Sequence, residues 1–240
     1  MKKAVTYLVG ALLLGLVALT PASASAGRGP IDPANFVRGI DNPFFPLKPG
    51  TTFIYHSEDG AEVVETAVTY ETIDILGVAC VVVEDVSTVD GKLEERTHDY
   101  FAQDKDGNVW YFGEATTNFK NGRPVNTVGS WRAGKNGASP GIIMEASPNI
   151  GDRYNEENAA GVAEDGAEVI SLDTSVKVPF GSFDHALQTA ETTPLEPKSL
   201  EHKYYVRGVG QVLAVDVKTG EREQLVRIEN QDASPEPHDK

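Results

Sequence analysis

The sequence predicts an all-β protein, built from a curved antiparallel meander sheet that forms a barrel or half-barrel. Apolar and polar residues alternate with a period of two along most segments, which is typical of half-buried strands. Gly, Asn and Asp separate these segments where tight hairpin turns require a positive φ. No segment of helical length carries an apolar stripe with a 3.6-residue period. A long meander must close, curl or be covered to protect its edges, and a sandwich is the competing architecture.

The first half of the chain contains six strand candidates after a proline-punctuated entry. They are residues 52–56, 62–70, 72–76, 78–87, 93–102 and 109–113. The segment 78–87 begins with apolar residues at both alternating positions, which predicts a central strand covered on both faces. Asp90-Gly91 and the Asp-Gly-Asn turn at 106–108 are typical hairpin connections.

The strand pattern weakens between Glu114 and Asn149, where glycines and prolines interrupt short apolar pieces. An irregular segment of this length is typical of a lid or a packed loop, so we expect it to lie over one side or mouth of the barrel. Six further strand candidates follow: residues 167–172, 175–178, 183–192, 201–207, 211–217 and 221–228. A short helix is the alternative for residues 183–192.

The N-terminus has the organisation of an export signal. Lys2 and Lys3, an apolar run over residues 7–19 and a small-residue end predict a signal peptide over residues 1–26. Residues 27–50 are then an extended Pro-rich entry segment, residues 51–229 a single β domain and residues 230–240 a disordered tail. We therefore expect an exported protein, periplasmic or secreted, without a transmembrane segment.

The charge of the chain restricts its partners. The net charge is −15 over 240 residues, and it becomes −17 when the signal peptide, with two lysines and no acid, is removed. Nucleic acid and anionic membrane surfaces require a cationic protein face, so neither is an expected partner. Cationic partners and calcium are compatible with this charge. Cys80, the single cysteine, lies in an apolar run and is expected to be a buried thiol.

Two groups of residues are candidates for holding a divalent metal ion. Asp104 and Asp106 lie at alternate positions of a turn, although their surroundings do not match the EF-hand pattern. His98 and His202 lie on separate strands, and we expect the strand face that carries His202 and Tyr204 to point inward. Such histidines could bind a transition metal or could be hydrogen-bonded core residues. A further acidic group comprises Asp152, Glu156, Glu157, Glu164 and Asp165.

The aromatic residues are clustered and could line a ligand cavity. The candidates for ligand binding are Tyr100, Trp110, Phe112, Trp131 and Tyr204. Aromatic side chains on a curved sheet can surround an apolar cavity, but they can equally fill the core of a small barrel. The Gly-x-Ser-x-Gly motif of a nucleophilic serine is absent, and no catalytic residue is assigned.

Three stretches carry a resemblance. DNPFFPLKPGTT (residues 41–52), DYFAQDKDGNVWYFGE (99–114) and EHKYYVRGVG (201–210) resemble the signature stretches of a family of exported bacterial proteins without an assigned function. The strand pattern, with its Tyr-Tyr-x-x-Gly-Val-Gly ending, is more loosely similar to periplasmic half-barrels of the lipoprotein-carrier type. The second resemblance implies a concave sheet able to hold an acyl chain, and it transfers no binding residue.

The sequence therefore leads to three functional hypotheses. The first is non-catalytic binding of a small or amphiphilic ligand in the extracytoplasmic space. The second is a metal-binding protein that uses inward histidines and acidic loops. The third is a structural protein of the envelope that presents the outer face of its sheet. An open apolar cavity would favour the first hypothesis, and converging donor atoms would favour the second.

Overall fold

The computed structural model describes residues 31–230 and is all-β, as the sequence predicts. One short 3₁₀ helix, Pro33–Asn35, precedes the strands. The strands are β1 Phe36–Val37, β2 Thr51–Ser57, β3 Glu62–Ile75, β4 Val78–Val89, β5 Lys92–Asp104, β6 Val109–Lys120, β7 Arg123–Asn126, β8 Trp131–Arg132, β9 Ser139–Met144, β10 Arg153–Asn155, β11 Glu157–Asn158, β12 Gly166–Val178, β13 Gly181–Thr192, β14 Glu201–Val206, β15 Gly210–Asp216 and β16 Arg222–Asn230. The predicted signal peptide and the residues of the predicted tail after Asn230 lie outside the described residues.

The strands form one antiparallel sheet that nearly closes into a barrel. Its order is β10-β12-β13-β14-β15-β16-β2-β3-β4-β5-β6-β9-β11, with β1 paired to β5 and with β7 and β8 paired to β6. The first and last long strands meet, because β2 pairs with β16 from Thr51 opposite Asn230. The two ends of the sheet, β10 and β11, are consecutive in the chain with Glu156 between them. This junction is the seam of the barrel.

Most strand candidates are confirmed, and residues 183–192 are a strand rather than a helix. Candidates 62–70 and 72–76 join into one strand, β3, because a shift in register between Val68 and Thr72 absorbs the irregularity. Candidates 167–172 and 175–178 likewise join into β12.

The segment between Glu114 and Asn149 contains more strand than its composition indicates. It holds the end of β6 together with β7, β8 and β9, separated by turns. Gly113 lies where β8 approaches β6 closely, since a Cβ on this residue would lie 2.4 Å from the carbonyl oxygen of Trp131. The absence of a side chain at this position lets β8 approach β6.

The entry segment packs into the fold. Ile40, Phe44 and Leu47 are buried, and β1 adds to the edge of β5. Asn42 ties the segment to distant parts of the chain, since its side-chain amide donates to the carbonyl oxygens of Gly107 and Glu145. The segment lies against the barrel end that carries the β14–β15 turn, where the Gly208 amide donates to the Pro43 carbonyl. Within residues 31–230, no helix has the length and hydrophobicity needed to cross a bilayer.

Candidate functional site

The barrel contains a partly open cavity of about 240 Å³. Side chains alternate between the two faces of a strand, so every second residue of the long strands points into the barrel. The inward residues of β3–β6 form one wall of the cavity, and those of β13–β16 form another. Residues 156–165 at the seam and residues 192–199 after β13 complete the lining. Barrels that are not filled by their own side chains commonly hold ligands in such cavities.

The lining is strongly acidic. Eleven carboxyl groups and one lysine, Lys203, contribute to it among the described residues. The acids are Asp85, Glu95, Asp99, Glu114, Glu156, Glu157, Asp165, Glu191, Glu201, Asp216 and Glu223. Apolar side chains, including Val64, Ile143 and Leu195, lie between them. The cavity therefore combines many carboxyl groups with apolar surface, and Tyr111 is the one aromatic residue among its described lining residues.

Lys203 pairs with the acids of the β13–β14 wall. Its Nζ lies 2.5 Å from Glu191 Oε2 and 3.7 Å from Glu201 Oε2. Burial disfavours the ammonium form, but the charges of Glu191 and Glu201 outweigh burial and hold the pKa of Lys203 well above its ordinary value. The Lys203 side chain thus places one ammonium group of the described residues in the cavity lining.

The opposite wall carries acids joined by a tyrosine. The Tyr111 hydroxyl lies within hydrogen-bond distance of Asp99 Oδ1 and, at 3.2 Å, of Glu114 Oε2. Burial and the charge of Asp85 raise the pKa of Asp99 well above its ordinary value. Burial and the charge of Asp99 do the same to the pKa of Glu114. Protonation of Asp99 and Glu114 therefore reduces the negative charge of this wall, as Lys203 does on the other wall.

Two further acids have raised pKa values within the physiological range. Burial raises the pKa of Asp85 to about 6, although a hydrogen bond from Thr66 opposes this change. Burial and the charge of Asp165 raise the pKa of Glu157 to about 7. Glu157 also accepts a hydrogen bond from Trp131 Nε1 at 3.3 Å. The charge of the cavity therefore changes near neutral pH.

Glu156 is the acid at the seam, between β10 and β11. Its side chain lines the cavity, the residue is 2% exposed, and Oε1 has no hydrogen-bond partner within the described part of the chain. Burial, followed by the charge of Glu191, raises the pKa of Glu156 well above its ordinary value, while Lys203 partly opposes the change. A buried oxygen without a partner is costly, so this atom needs an explanation.

The predicted aromatic ligand residues do not line this cavity. Trp110 and Phe112 lie on the outer face, since Tyr111 between them points inward, and both pack edge-to-face on Phe36. Tyr100 is covered by the Arg132 guanidinium, 5.3 Å from its ring centre. These residues form a second core, between the sheet and the segments that cover its outside.

The other two predicted ligand residues, Trp131 and Tyr204, lie in different surroundings. Trp131 packs edge-to-face against the cavity-lining Tyr111, with ring centres 5.4 Å apart, and is paired with the cavity-lining Glu114 across β6 and β8. Tyr204 accepts a hydrogen bond from Gln188 at 3.1 Å. We expected His202 and Tyr204 to face inward, but Glu201 and Lys203 take that face. The interior at this end is polar, so the more apolar face of β14 is directed outward.

The structure does not bring the predicted metal ligands together. His98 and His202 lie on the outer faces of β5 and β14, with β15, β16, β2, β3 and β4 between these strands. Asp104 accepts hydrogen bonds from the Asn108 backbone amide, the Asn108 side chain and Trp110 Nε1, so the turn occupies its oxygens. Asp106 is exposed. No three His, Cys, Asp or Glu side chains of residues 31–230 form a group suited to a metal ion.

Sequence reasoning missed most of the acids that line the cavity. Of the acidic group at residues 152–165, Glu156, Glu157 and Asp165 do line the cavity, whereas Asp152 is half-buried outside it and accepts a hydrogen bond from the Asn149 backbone amide. A usable signal was that charged residues share one face of a strand: Glu95 and Asp99 do so in β5, and Glu201 and Lys203 do so in β14.

The comparisons with known proteins do not assign the chain to a family. No family model and no curated protein matches the chain. One similar solved structure is a Bacteroides fragilis protein with a YmcC-like fold, inferred to be exported; it is 18% identical, covers 78% of this chain and 99% of its own, and has a TM-score of 0.45. Another is a Parabacteroides distasonis protein, inferred to be a lipoprotein, at 15% identity, the same coverages and a TM-score of 0.43. Likeness at this level carries neither a function nor a compartment to this chain.

Proposed function

We propose that this protein is an exported, non-catalytic binding protein that holds a small polar ligand inside its barrel. The observation that carries this proposal is the cavity of about 240 Å³ inside the barrel, lined by polar groups from both walls. Pockets for drug-sized ligands occupy about 300–1,000 Å³, so this volume suits a smaller molecule. The export signal predicted over residues 1–26 supports an extracytoplasmic role.

The lining favours a polar ligand over an acyl chain. Burying a methylene group is favourable only when it contacts apolar surface, and eleven carboxyl groups interrupt that surface here. The predicted metal sites at His98, His202, Asp104 and Asp106 have their donors apart or already bonded, so a metal ion in those places has no structural support.

Native mass spectrometry of protein purified from its host tests the proposal. We expect a bound molecule of low mass in the natural protein and its loss in Ala214→Leu, which places a larger side chain in the cavity lining. Ala190→Leu is the matched control, because residue 190 lies on the outer face opposite His202. Equal melting curves and far-UV spectra of the two variants would establish that both fold.

Two results would contradict the proposal. One is a natural protein that carries no ligand and whose melting temperature does not respond to a panel of small polar molecules. The other is a ligand retained equally by Ala214→Leu and Ala190→Leu, since it would then bind outside the barrel. If the natural protein retains a fatty acid or a detergent and Ala214→Leu loses it, the binding site is correct but the ligand is amphiphilic rather than polar.

A further inference from the structure

The two walls of the cavity differ in how their acidic charge is balanced. Lys203 lies 2.5 Å from Glu191 and compensates the β13–β14 wall. The β4–β6 wall presents Asp85, Asp99 and Glu114, and no lysine or arginine of the described residues lines the cavity beside them. Burial raises the pKa values of all three acids, and the charge of a neighbouring acid adds to this for each of them. A ligand that brings a positive charge would replace those protons.

Glu156 supplies an acceptor that no group of the described chain uses. It is 2% exposed, it lines the cavity, and its Oε1 has no hydrogen-bond partner. The charged groups that act on it are Glu191, Lys203, Asp165 and Glu157, three acids and one lysine. Lys203 reaches Glu191 and Glu201, not this oxygen. A buried carboxylate oxygen in this state is complementary to a charged donor supplied from outside.

Asp85 repeats the same feature on the other side of the cavity. Its Oδ1 is buried and has no hydrogen-bond partner within residues 31–230. Asp85 lies on β4, and four strand-to-strand steps along the sheet, through β5, β6 and β9 to β11, separate it from the seam. Unused acceptors therefore occur at two separate places in one cavity.

We propose that the ligand is a small organic cation with a primary ammonium group, and that Glu156 Oε1 accepts a hydrogen bond from it. This inference rests on the proposed function and specifies the ligand class. An ammonium group has three donors and no acceptor, so it matches a lining of carboxyl oxygens. The apolar residues between the acids, such as Val64 and Leu195, match a short carbon skeleton. A bare metal ion fits less well, because the acids are distributed around the cavity and do not converge.

Lys203 shows that the cavity is suited to such a group. Its ammonium is buried, with 19% of the side chain exposed, and the adjacent acids keep it charged. A ligand amine would occupy the same kind of environment at Glu156. Because the pKa of Glu156 is raised, the incoming cation must displace a proton, and binding should release protons to the buffer.

Calorimetric titration with matched four-carbon probes tests the ligand class. The probes are 1,4-diaminobutane, n-butylamine, n-butanol, butyrate and calcium chloride, each titrated into the natural protein at pH 8. We expect the amines to bind, and butanol and butyrate to bind at least about 10-fold more weakly, because a hydrogen bond between charged groups contributes about 1.5–3 kcal/mol. Repetition in buffers of different ionisation enthalpy measures the protons released.

Glu156→Gln tests the assigned residue. We expect it to weaken amine binding about 10-fold or more and to reduce proton release, whereas Glu65→Gln, on an exposed position of β3, should change neither. Should Glu156→Gln fail to fold, calorimetry of the natural protein is the second measurement: amine binding must release protons because the pKa of Glu156 is raised, and binding without proton release overturns its role.

The outcomes separate the two proposals. Binding of butanol or butyrate as tight as that of the amines overturns the ammonium class and leaves the cavity as a binding site. Calcium binding without amine binding does the same. Amine binding unaffected by Glu156→Gln overturns the role of Glu156. A cavity that accepts no small molecule, with natural protein free of ligand, overturns the proposed function itself.

Discussion

Replacing Glu157 by glutamine tests whether ionisation of this buried acid lowers the stability of the folded protein. Burial and the charge of Asp165 raise the pKa of Glu157 from 4.5 to about 7. Between these pH values the folded state binds more protons than the unfolded chain, so the free energy of unfolding falls as the pH rises. The pKa difference of about 2.5, at about 1.36 kcal/mol per pKa unit, corresponds to about 3 kcal/mol. This loss is complete above pH 7 and absent below pH 4.5.

Glutamine removes the charge and keeps most of the geometry. It retains an acceptor for the Trp131 Nε1–H group, which donates to Glu157 at 3.3 Å. We therefore expect Glu157→Gln to be about 3 kcal/mol more stable than the natural protein at pH 8 and nearly equal to it at pH 4. Urea unfolding followed by far-UV circular dichroism at several pH values gives both free energies.

The matched control for this experiment is Glu65→Gln, on an exposed position of β3. Its stability relative to the natural protein should be independent of pH within about 0.5 kcal/mol. A gain in Glu157→Gln that is the same at pH 4 and pH 8 would refute the argument, because it would not come from the ionisation of Glu157. A loss of stability at pH 8 would refute it directly.

Three further predictions concern buried groups. Lys203→Met should lower the free energy of unfolding by about 3 kcal/mol at pH 8, and less at pH 5 where protons neutralise the surrounding acids; urea unfolding with equal losses at both pH values would contradict this. Gly141→Ala should cost about 1–3 kcal/mol, since its Cβ would lie 2.2 Å from the Glu156 carbonyl oxygen, whereas Gly181→Ala meets only the Phe183 ring at 3.0 Å and should cost less in thermal unfolding. Cys80 is 0% exposed and burial raises its pKa to about 12, so Ellman's reagent should label it only after denaturation, and rapid labelling of folded protein would contradict its placement.

The fold class could be predicted because strand alternation and turn residues are local signals. Residues 183–192 alternate in the sequence and form β13, and the Asp90-Gly91 turn joins β4 to β5. The pairing of β2 with β16 and the seam at Glu156 could not be predicted, since alternation within a strand does not specify its neighbour. Topology therefore required the structure.

The site was predicted on the wrong face of β14 for a physical reason. Hydrophobicity assigned His202 and Tyr204 to the interior, which is correct for a barrel filled by apolar side chains. This barrel instead directs Glu201 and Lys203 inward, where they pair with other buried charges. The outer face of β6 is apolar because Phe36 covers Trp110 and Phe112. The inner face of the sheet is polar and part of its outer face is aromatic. Hydrophobicity alone therefore does not show which face of a strand points into the barrel.

The pairing of β2 with β16 has a consequence for how the chain folds. Thr51 and Asn230 lie opposite each other although 179 positions separate them in the sequence, so the two halves of the sheet are joined by a contact between distant parts of the chain. Hairpins such as β4–β5 can form as soon as both arms exist, whereas closure carries the largest loop entropy and should be slow. A growing chain that has not yet reached residue 230 cannot complete this pairing, so β2 must wait for its last partner strand while the hairpins that follow it form.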